Sequence, residues 1–254
     1  MAKDIDFEKN HLFKGETLNW QPSLKQIEQF NQLQILIKKW NTKLNLTRLV
    51  EGNDFWIGQV IDSLWPFKNV LKNSLVSPKI IDVGSGCGLP GLAIAIALPN
   101  ASLTLVDSIS RKAKAIQNIS EELGLNTRVS VINERVELLG QKNYYRSSFD
   151  ISLARAVATS EVVAEYLVPF LNKTGEAIVY KGKLNDPELS KLNNALITLK
   201  GKVKKIQAFD LPDKRGTRHI IRIRRLEECP KKYPRGIGIP KKRPLGNSHV
   251  RDNL

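Results

Sequence analysis

Residues 80–91 read IIDVGSGCGLPG, so that four glycines fall within eight residues directly after an apolar run that ends in an acid. An apolar run before a glycine-rich turn predicts a buried strand that leads into a helix. Because glycine has no Cβ, such a turn lets a ligand approach the backbone amides at the helix N-terminus. The stretch therefore predicts an α/β fold with a ligand site at this turn.

The chain beyond this turn fits the same fold, since strand-like and helix-like runs alternate after residue 76. Such alternation is typical of βαβ units around a parallel sheet. Only PDKRGT joins KVKKIQAFDL to RHIIRIRRL, which is too short for a crossover helix and predicts an antiparallel hairpin. We therefore expect a Rossmann-like, mostly parallel sheet that ends in a C-terminal antiparallel hairpin and occupies residues 77–228.

Helical periodicity marks the N-terminal region. Residues 23–45 carry an apolar stripe that starts at Leu24 and repeats every three or four positions. A second helix is predicted over Asp54–Leu64. We expect residues 1–76 to form a small helical cap on the α/β domain.

Composition excludes several classes of protein. A chain of 254 residues with 41% hydrophobic residues is long enough to bury a sizeable core. Its two cysteines form neither a disulfide framework nor a zinc cluster, and the start MAKDIDFEKN lacks the form of a signal peptide. The longest apolar run, GLAIAIAL, is too short to cross a bilayer. These features predict a cytoplasmic protein without a metal site or a membrane partner.

Positive charge is concentrated near the C-terminus. The net charge is +15, and residues 201–254 carry sixteen Lys and Arg against five Asp and Glu, a net of +11 (16 − 5). A block of this kind attracts polyanions by releasing their counterions. The charge predicts a nucleic-acid partner, and a membrane surface is less favoured because the region has few apolar residues to insert.

The last residues, 229–254, form a basic segment with prolines at 230, 234, 240 and 244. Since proline interrupts helices, we expect an irregular arm that stays extended and contacts RNA phosphates. The alternative is that the segment packs on the domain as part of its structure.

The glycine pattern distinguishes two cofactor classes. Gly86 begins a match to the dinucleotide pattern G-x-G-x-x-G. In a dinucleotide site, however, the first glycine follows the strand directly; that place belongs to Gly84, and from there the third glycine is replaced by Leu89. The acid-x-Gly-x-Gly arrangement from Asp82 instead resembles the first motif of class I methyltransferases, which bind S-adenosylmethionine. A dehydrogenase remains the alternative.

Further cofactor contacts are predicted where the next strands end. Asp107 follows Gly84 by 23 residues at the predicted end of the second strand, where a carboxylate accepts hydrogen bonds from ribose hydroxyls. After the third strand, Val136 is placed to pack on the adenine and Glu137 to position it. At the end of the fourth strand, Arg155 is placed to pair with the methionine carboxylate.

The methyl acceptor is constrained by motifs that the sequence lacks. After the fourth strand the chain reads Ala154-Arg155-Ala156-Val157, which is not the [DNS]-P-P-[YFW] set used to methylate exocyclic amines. Neither Cys87 nor Cys229 stands where a carbon-5 methyltransferase keeps its nucleophile. A ring nitrogen with a free lone pair, such as guanine N7, needs only positioning. We therefore predict no catalytic acid, base or nucleophile.

Several stretches taken in order resemble one family. They are WNTKLNLTRL, VIDSLWP, DVGSGCGLPGLAIAIALP, LVDSISRKAKAI, ERVEL, ISLARAVA, YKGK, RHIIRI and PKKYPRGIGIPKKRPL, which together run from residue 40 to residue 245. This set resembles the ribosomal RNA small subunit methyltransferase G family, also called the glucose-inhibited division protein B family. The resemblance implies N7-methylation of one guanine in the decoding-region loop of bacterial 16S ribosomal RNA, free or in the small subunit, with S-adenosylmethionine as donor.

The resemblance also assigns residues by position. The cofactor contacts that follow from the motif and the resemblance together are Gly84, Gly86, Leu89, Asp107, Ser108, Ile109, Val136, Glu137 and Arg155. The substrate-facing cations are Arg135, Lys181 and Arg218, for which ordinary surface charge is the alternative. The family often carries Arg-His where this chain has Gly58-Gln59, so any role of that histidine is not transferred. We expect a monomer.

Two other functions compete with this one. A non-catalytic RNA-binding protein that kept a relic methyltransferase fold would explain the charge, but the acids at 82, 107 and 137 are all present. A small-molecule methyltransferase would have no use for the basic C-terminal region.

Overall fold

The computed structural model describes residue 13, residues 17–73 and residues 77–247. At its centre lies a seven-stranded sheet in the order β3-β2-β1-β4-β5-β7-β6. The strands are β1 (Lys79–Val83), β2 (Ser102–Asp107), β3 (Val129–Asn133), β4 (Phe149–Arg155), β5 (Leu171–Lys181), β6 (Gly201–Asp210) and β7 (Thr217–Arg225). The first five are parallel, whereas β7 runs antiparallel to both β5 and β6. The predicted mostly parallel sheet and its C-terminal hairpin are therefore confirmed.

Helices cover both faces of this sheet. They are α1 (Leu24–Leu44), α2 (Gly52–Phe55), α3 (Asp62–Leu64), α4 (Gly91–Ala97), α5 (Ser110–Glu122), α6 (Val136–Leu139), α7 (Ser160–Leu167), α8 (Asp186–Thr198) and α9 (Ile239–Lys242). Short 3-10 turns occupy Trp65–Phe67 and Val168–Phe170. No helix in the described ranges is long and apolar enough to cross a membrane.

The first helix has clear sequence signals at both ends. Ser23 caps α1 in a capping box with Gln26, whose side-chain amide also donates to the carbonyl of Ile96 at 2.9 Å. The helix ends at Asn45, which adopts the left-handed conformation with φ of 46°. The apolar stripe faces the core as predicted, except that Leu24 is 80% exposed because it lies at the start of the helix, off the buried face.

The second predicted helix exists but is not regular. The helical run extends from Gly52 to Leu64, and its middle, Trp56–Ile61, is a π-helix. A π-helical turn contains one more residue than an α-helical turn, because its hydrogen bonds join residues i and i+5. Such turns occur frequently at functional sites. Here Gly58 and Gln59 of the widened turn line a cavity at one edge of the sheet.

The N-terminal helices and the sheet share one continuous hydrophobic core. Phe30, Trp56 and Leu64 pack in the same cluster as Ile80 and Leu105 of the sheet. The predicted boundary between the helical cap and the α/β domain falls next to residues 74–76, outside the described residues. That division into domains stays a prediction.

The C-terminal segment, residues 230–247, is folded back onto the domain. The guanidinium of Arg146 donates to the carbonyls of Tyr233 and Pro230 at 2.6 and 2.9 Å. Arg235 forms a bidentate pair with Glu165 at 2.7 and 2.9 Å, and Glu165 is fully buried. The expected extended arm is therefore wrong for these residues, because prolines prevented a long helix but did not prevent packing. Residues 248–254 lie outside the described part of the chain.

Candidate functional site

A cavity of about 880 Å³ opens at the carboxyl ends of the parallel strands. In open α/β sheets this is the edge where ligands bind, because the loops that follow the strands meet there. The cavity is lined by the turns after β1, β2, β3 and β4, by the π-helical segment, and by the ends of β5 and β7. It is large enough for a nucleoside-sized cofactor together with part of a second substrate.

The glycine-rich turn forms one wall, and its glycines are required by close approach. Gly84 has φ of +73°, and a Cβ there would lie 2.7 Å from a methyl of Val157. A Cβ on Gly91 would lie 2.2 Å from Leu105 and 2.9 Å from a carboxylate oxygen of Asp82. A side chain at Gly84 would collide with the loop after β4, and one at Gly91 would collide with β1 and β2, so this turn is built from glycine and exposes backbone atoms of Gly84 to the cavity.

Asp82 holds this turn from below. Its carboxylate is fully buried and accepts a hydrogen bond from the amide of Gly91 at 2.9 Å, while Oδ1 has no hydrogen-bond partner among the described residues. Burial raises the pKa of Asp82 from 3.8 to about 7, although the Gly91 amide and the charge of Arg155 lower it. Asp82 does not line the cavity. Its role in the acid-x-Gly-x-Gly motif is therefore to fix the turn.

We expect the contribution of Asp82 to the free energy of unfolding to fall as pH rises from 3.8 towards about 7. In this window the folded state keeps a proton on Asp82 that the unfolded state releases, so raising the pH favours unfolding. Asp82→Asn should remove this contribution, because the amide oxygen still accepts from Gly91. Thermal unfolding of both proteins across this range measures it, and parallel curves would show that Asp82 is not the titrating group.

Asp107 closes the turn from the side. Its two carboxylate oxygens accept hydrogen bonds from the amides of Gly86 and Ile109, at 2.9 and 2.8 Å. Asp107 itself lines the cavity. Since a carboxylate oxygen has more than one lone pair, both oxygens can still accept from ligand hydroxyls. The residue thus shapes the loop and faces the ligand space.

The carboxylate of Glu137 points away from the cavity. It is 1% exposed and does not line the cavity, whereas its neighbour Val136 does. Its carboxylate accepts from Arg135 at 2.9 Å, from the hydroxyl of Tyr166 at 3.3 Å and from the amide of Gly238 at 3.1 Å. These partners turn the carboxylate away from the cavity, and the predicted role of Glu137 in positioning the adenine stays a prediction. Every other residue predicted to contact the cofactor lines the cavity.

The pairing of Glu137 also affects its ionisation. Burial opposes its charge, but hydrogen bonds from Arg135 and Gly238 outweigh that cost and lower the pKa of Glu137. The charged carboxylate therefore ties α6 to the C-terminal segment.

Arg155 lies at the floor of the cavity and contacts the N-terminal helices. Its Nη1 donates to Asp62 Oδ2 at 2.9 Å and to the carbonyl of Gly58 at 3.5 Å, and its Nη2 donates to Gln59 Oε1. Nε and one Nη2 hydrogen carry no hydrogen bond within the described residues, and this edge of the guanidinium suits a carboxylate. The arginine is thus oriented by the protein and keeps donors for a ligand.

Gln59 occupies the position where a histidine is often found in the family that the sequence resembles. It is 3% exposed, donates to Thr47 Oγ1 at 2.9 Å and accepts from Arg155. A glutamine amide performs both tasks at once, because it carries a donor and an acceptor. Its contribution here is to hold Arg155.

The three cations expected on the substrate side all line the same cavity. Each is held by an acid: Arg135 by Glu137 at 2.9 Å, Lys181 by Glu188 at 2.7 Å and Arg218 by Asp62 at 3.5 Å. The structure thus brings these cations together around one opening. Their pairing keeps their side chains in fixed positions, as a binding surface requires.

Two residues that the sequence did not place at this cavity complete the site. Asp62, 5% exposed, joins Arg155 to Arg218, and Lys241 reaches the cavity from α9. Asp62 lies within VIDSLWP, so the motif marked its neighbourhood without giving it a role. Among the residues described, no group of three or more His, Cys, Asp or Glu could hold a metal ion.

The chain is similar in sequence to known methyltransferases. A family model described as "rRNA small subunit methyltransferase G" matches residues 26–221. A protein named ribosomal RNA small subunit methyltransferase G from Prochlorococcus marinus is 55% identical over 254 residues, which is 100% of both chains. A protein of the same name from a Synechococcus species is 50% identical to this chain over 91% of each chain.

Among solved structures, an O-methyltransferase from Bacillus cereus in complex with SAH aligns with a TM-score of 0.54. The alignment covers 76% of this chain and 90% of that one at 14% identity, so it bears on the fold alone. The predicted class I methyltransferase fold is confirmed by this likeness together with the strand order.

Proposed function

Because the chain belongs to the rRNA small subunit methyltransferase G family, we propose that it methylates N7 of one guanine in the decoding-region loop of 16S ribosomal RNA. The observation that carries this proposal is the full-length similarity at 55% identity to a protein named ribosomal RNA small subunit methyltransferase G. The methyl donor is S-adenosylmethionine, whose sulfonium supplies an electrophilic methyl group.

The residues around the cavity suit this donor. Asp107 is the proposed acceptor for the ribose hydroxyls, Val136 packs on the adenine, and Arg155 presents Nε and Nη2 to the methionine carboxylate. Gly84 and Gly86 line the cavity without side chains, and the remaining part of the cofactor is proposed to lie against their backbone atoms. Leu89, Ser108 and Ile109 line the same space.

Guanine N7 reacts without help from an acid or a base. Its lone pair forms the new bond to the methyl carbon as the bond from that carbon to sulfur breaks, and no proton is transferred. The task of the protein is then to hold the base in line with the methyl group and to exclude water. Arg135, Lys181 and Arg218 are the proposed RNA contacts, and they must leave N7 free while holding O6 or flanking phosphates.

We further propose that the enzyme works in the cytoplasm as a monomer and without a metal ion. The chemistry supports the last point, because a neutral nucleophile and a cationic donor need no Lewis acid. The target base must leave its stack to enter a cavity of this depth, as for other enzymes that act on bases.

The test of the proposed function is methyl transfer to small ribosomal subunits prepared from a strain that lacks this protein. Labelled S-adenosylmethionine should place about one methyl group per subunit on a single guanine of 16S RNA, located by mapping the modified base. Subunits from the parent strain, already methylated, are the control and should accept none. Label at another base or on a protein would contradict the proposal, and binding of NAD in place of S-adenosylmethionine in calorimetry would favour a dehydrogenase.

Arg218→Ala should lower turnover on the subunit far more than it lowers cofactor affinity. The side chain begins β7, lines the cavity and is 29% exposed, so its removal leaves the cofactor contacts of the glycine turn intact. We expect kcat to fall on the order of a hundredfold, as for the loss of one oriented cationic contact. Single-turnover rates and calorimetry measure the two effects. Normal turnover at saturating RNA would show that Arg218 is an ordinary surface charge without a role in the reaction.

A further inference from the structure

The C-terminal segment, residues 230–247, packs beside the cavity and contributes Lys241 to its lining. Besides the pairs made by Arg146 and Arg235, the amide of Gly238 donates to Glu137 Oε1 at 3.1 Å. Glu137 directly follows Val136, which lines the cavity. The segment is therefore fixed to the part of the protein that surrounds the proposed adenine site.

The short helix α9 follows Gly238 and carries two adjacent lysines with different surroundings. Lys241 lines the cavity, whereas Lys242 does not. Both are exposed, and within the described ranges neither side chain has a hydrogen bond or an ion pair. Lys241 thus differs from Arg135, Lys181 and Arg218, each of which is held by an acid.

An exposed ammonium at this cavity, without a partner in the described part of the chain, is free to bind an anionic group of a ligand. The only carboxylate of S-adenosylmethionine is accounted for by Arg155 in the proposed arrangement, and its adenosine part is neutral. The remaining source of negative charge is the phosphate backbone of the RNA. Lysine suits this role because its ammonium is a compact charge on a flexible stem.

We propose that Lys241 binds a backbone phosphate of the target RNA at the mouth of the cofactor cavity, which makes the C-terminal segment part of the substrate site. This inference rests on the proposed function for the identity of the RNA. Lys241 lies beyond residue 221, where the match to the family model ends. It belongs to PKKYPRGIGIPKKRPL, one of the stretches that resemble the family, so the contact lies outside the match to the family model but within the resemblance.

The test compares Lys241→Ala with Lys242→Ala in the full chain. The two variants lose the same charge from the same helix, so general electrostatic attraction falls equally in both. Lys241→Ala should raise KM for small subunits about tenfold at physiological salt and reduce the slope of log KM against log salt by about 0.7–0.9. Lys242→Ala should change KM less than about twofold, and neither variant should alter the melting temperature or the affinity for S-adenosylmethionine. Equal effects of the two changes would overturn the proposal.

A second measurement does not depend on turnover. Wild-type protein is treated with a lysine-acetylating reagent with and without 16S RNA, and the modification of each lysine is read by mass spectrometry. RNA should protect Lys241 more strongly than Lys242. If RNA protects Lys241 while the methylated base is not the expected guanine, the proposed function fails and the inference stands. Absence of RNA protection, or protection by S-adenosylmethionine alone, would overturn the inference even where the methylation test succeeds.

Discussion

Asp107→Ala should weaken the binding of S-adenosylmethionine by roughly 30- to 150-fold, which corresponds to about 2–3 kcal/mol. The carboxylate is the proposed partner of both ribose hydroxyls, and charge-assisted hydrogen bonds are the stronger kind. It also accepts from the amides of Gly86 and Ile109, so alanine releases the turn that shapes the cavity. Isothermal calorimetry with the cofactor measures the change.

Two controls separate these contributions. Asp107→Asn keeps one acceptor for the turn but loses the charge, and it should weaken the cofactor less than alanine does. RNA binding should remain nearly unchanged in both variants, because Arg135, Lys181 and Arg218 come from other elements. If Asp107→Ala bound the cofactor as tightly as the wild-type protein, Asp107 would not be a cofactor contact.

The order of elements could be predicted because the relevant signals are local. Strand-like runs alternate with helical ones, and a six-residue link forces the last two strands into a hairpin, which the structure contains as β6 and β7. The glycine turn and Asp107 could also be placed, since the carboxyl ends of neighbouring parallel strands meet at one edge. Each of these inferences depends only on spacing along the chain.

The direction of a side chain could not be predicted in the same way. Glu137 follows Val136, the first residue of α6, yet Glu137 is buried in the protein and Val136 faces the cavity. The difference is set by Tyr166 and Gly238, which are distant in sequence and hydrogen-bond to Glu137. Tertiary partners of this kind leave no periodic signal.

The same reason explains the errors in the N- and C-terminal regions. Nothing in the sequence of residues 56–61 distinguishes a π-helical turn from an α-helical one, yet the wider turn determines that Gln59 reaches Arg155. In residues 230–247, prolines indicated irregular backbone correctly, but the contacts to Arg146 and Glu165 required knowledge of where those residues lie.

The pair formed by Arg155 and Asp62 joins cofactor binding to stability, and the two can be separated. Arg155→Ala removes the proposed partner of the methionine carboxylate. Among the described residues it leaves Asp62, whose side chain is 7% exposed, with Arg218 at 3.5 Å as its one ion-pair partner. Stranding a buried charge typically costs about 3–5 kcal/mol. With Arg218 still nearby, we expect the lower figure, about 3 kcal/mol, and a melting temperature lower by roughly 6–12 °C. Cofactor affinity should fall by about a hundredfold or more.

The double variant Arg155→Ala/Asp62→Asn tests whether these losses have different causes. Asparagine removes the stranded charge, so most of the lost stability should return, because the cost arose from an unpaired carboxylate. Cofactor affinity should stay as low as in Arg155→Ala, since no side chain replaces the Nε and Nη2 donors. Asp62→Asn alone keeps those donors and should bind the cofactor much better than either variant that lacks Arg155. Thermal unfolding and calorimetry on the four proteins give both quantities. If the second substitution restored cofactor binding along with stability, the guanidinium would serve only to neutralise Asp62, and the methionine carboxylate would have to be held elsewhere in the cavity.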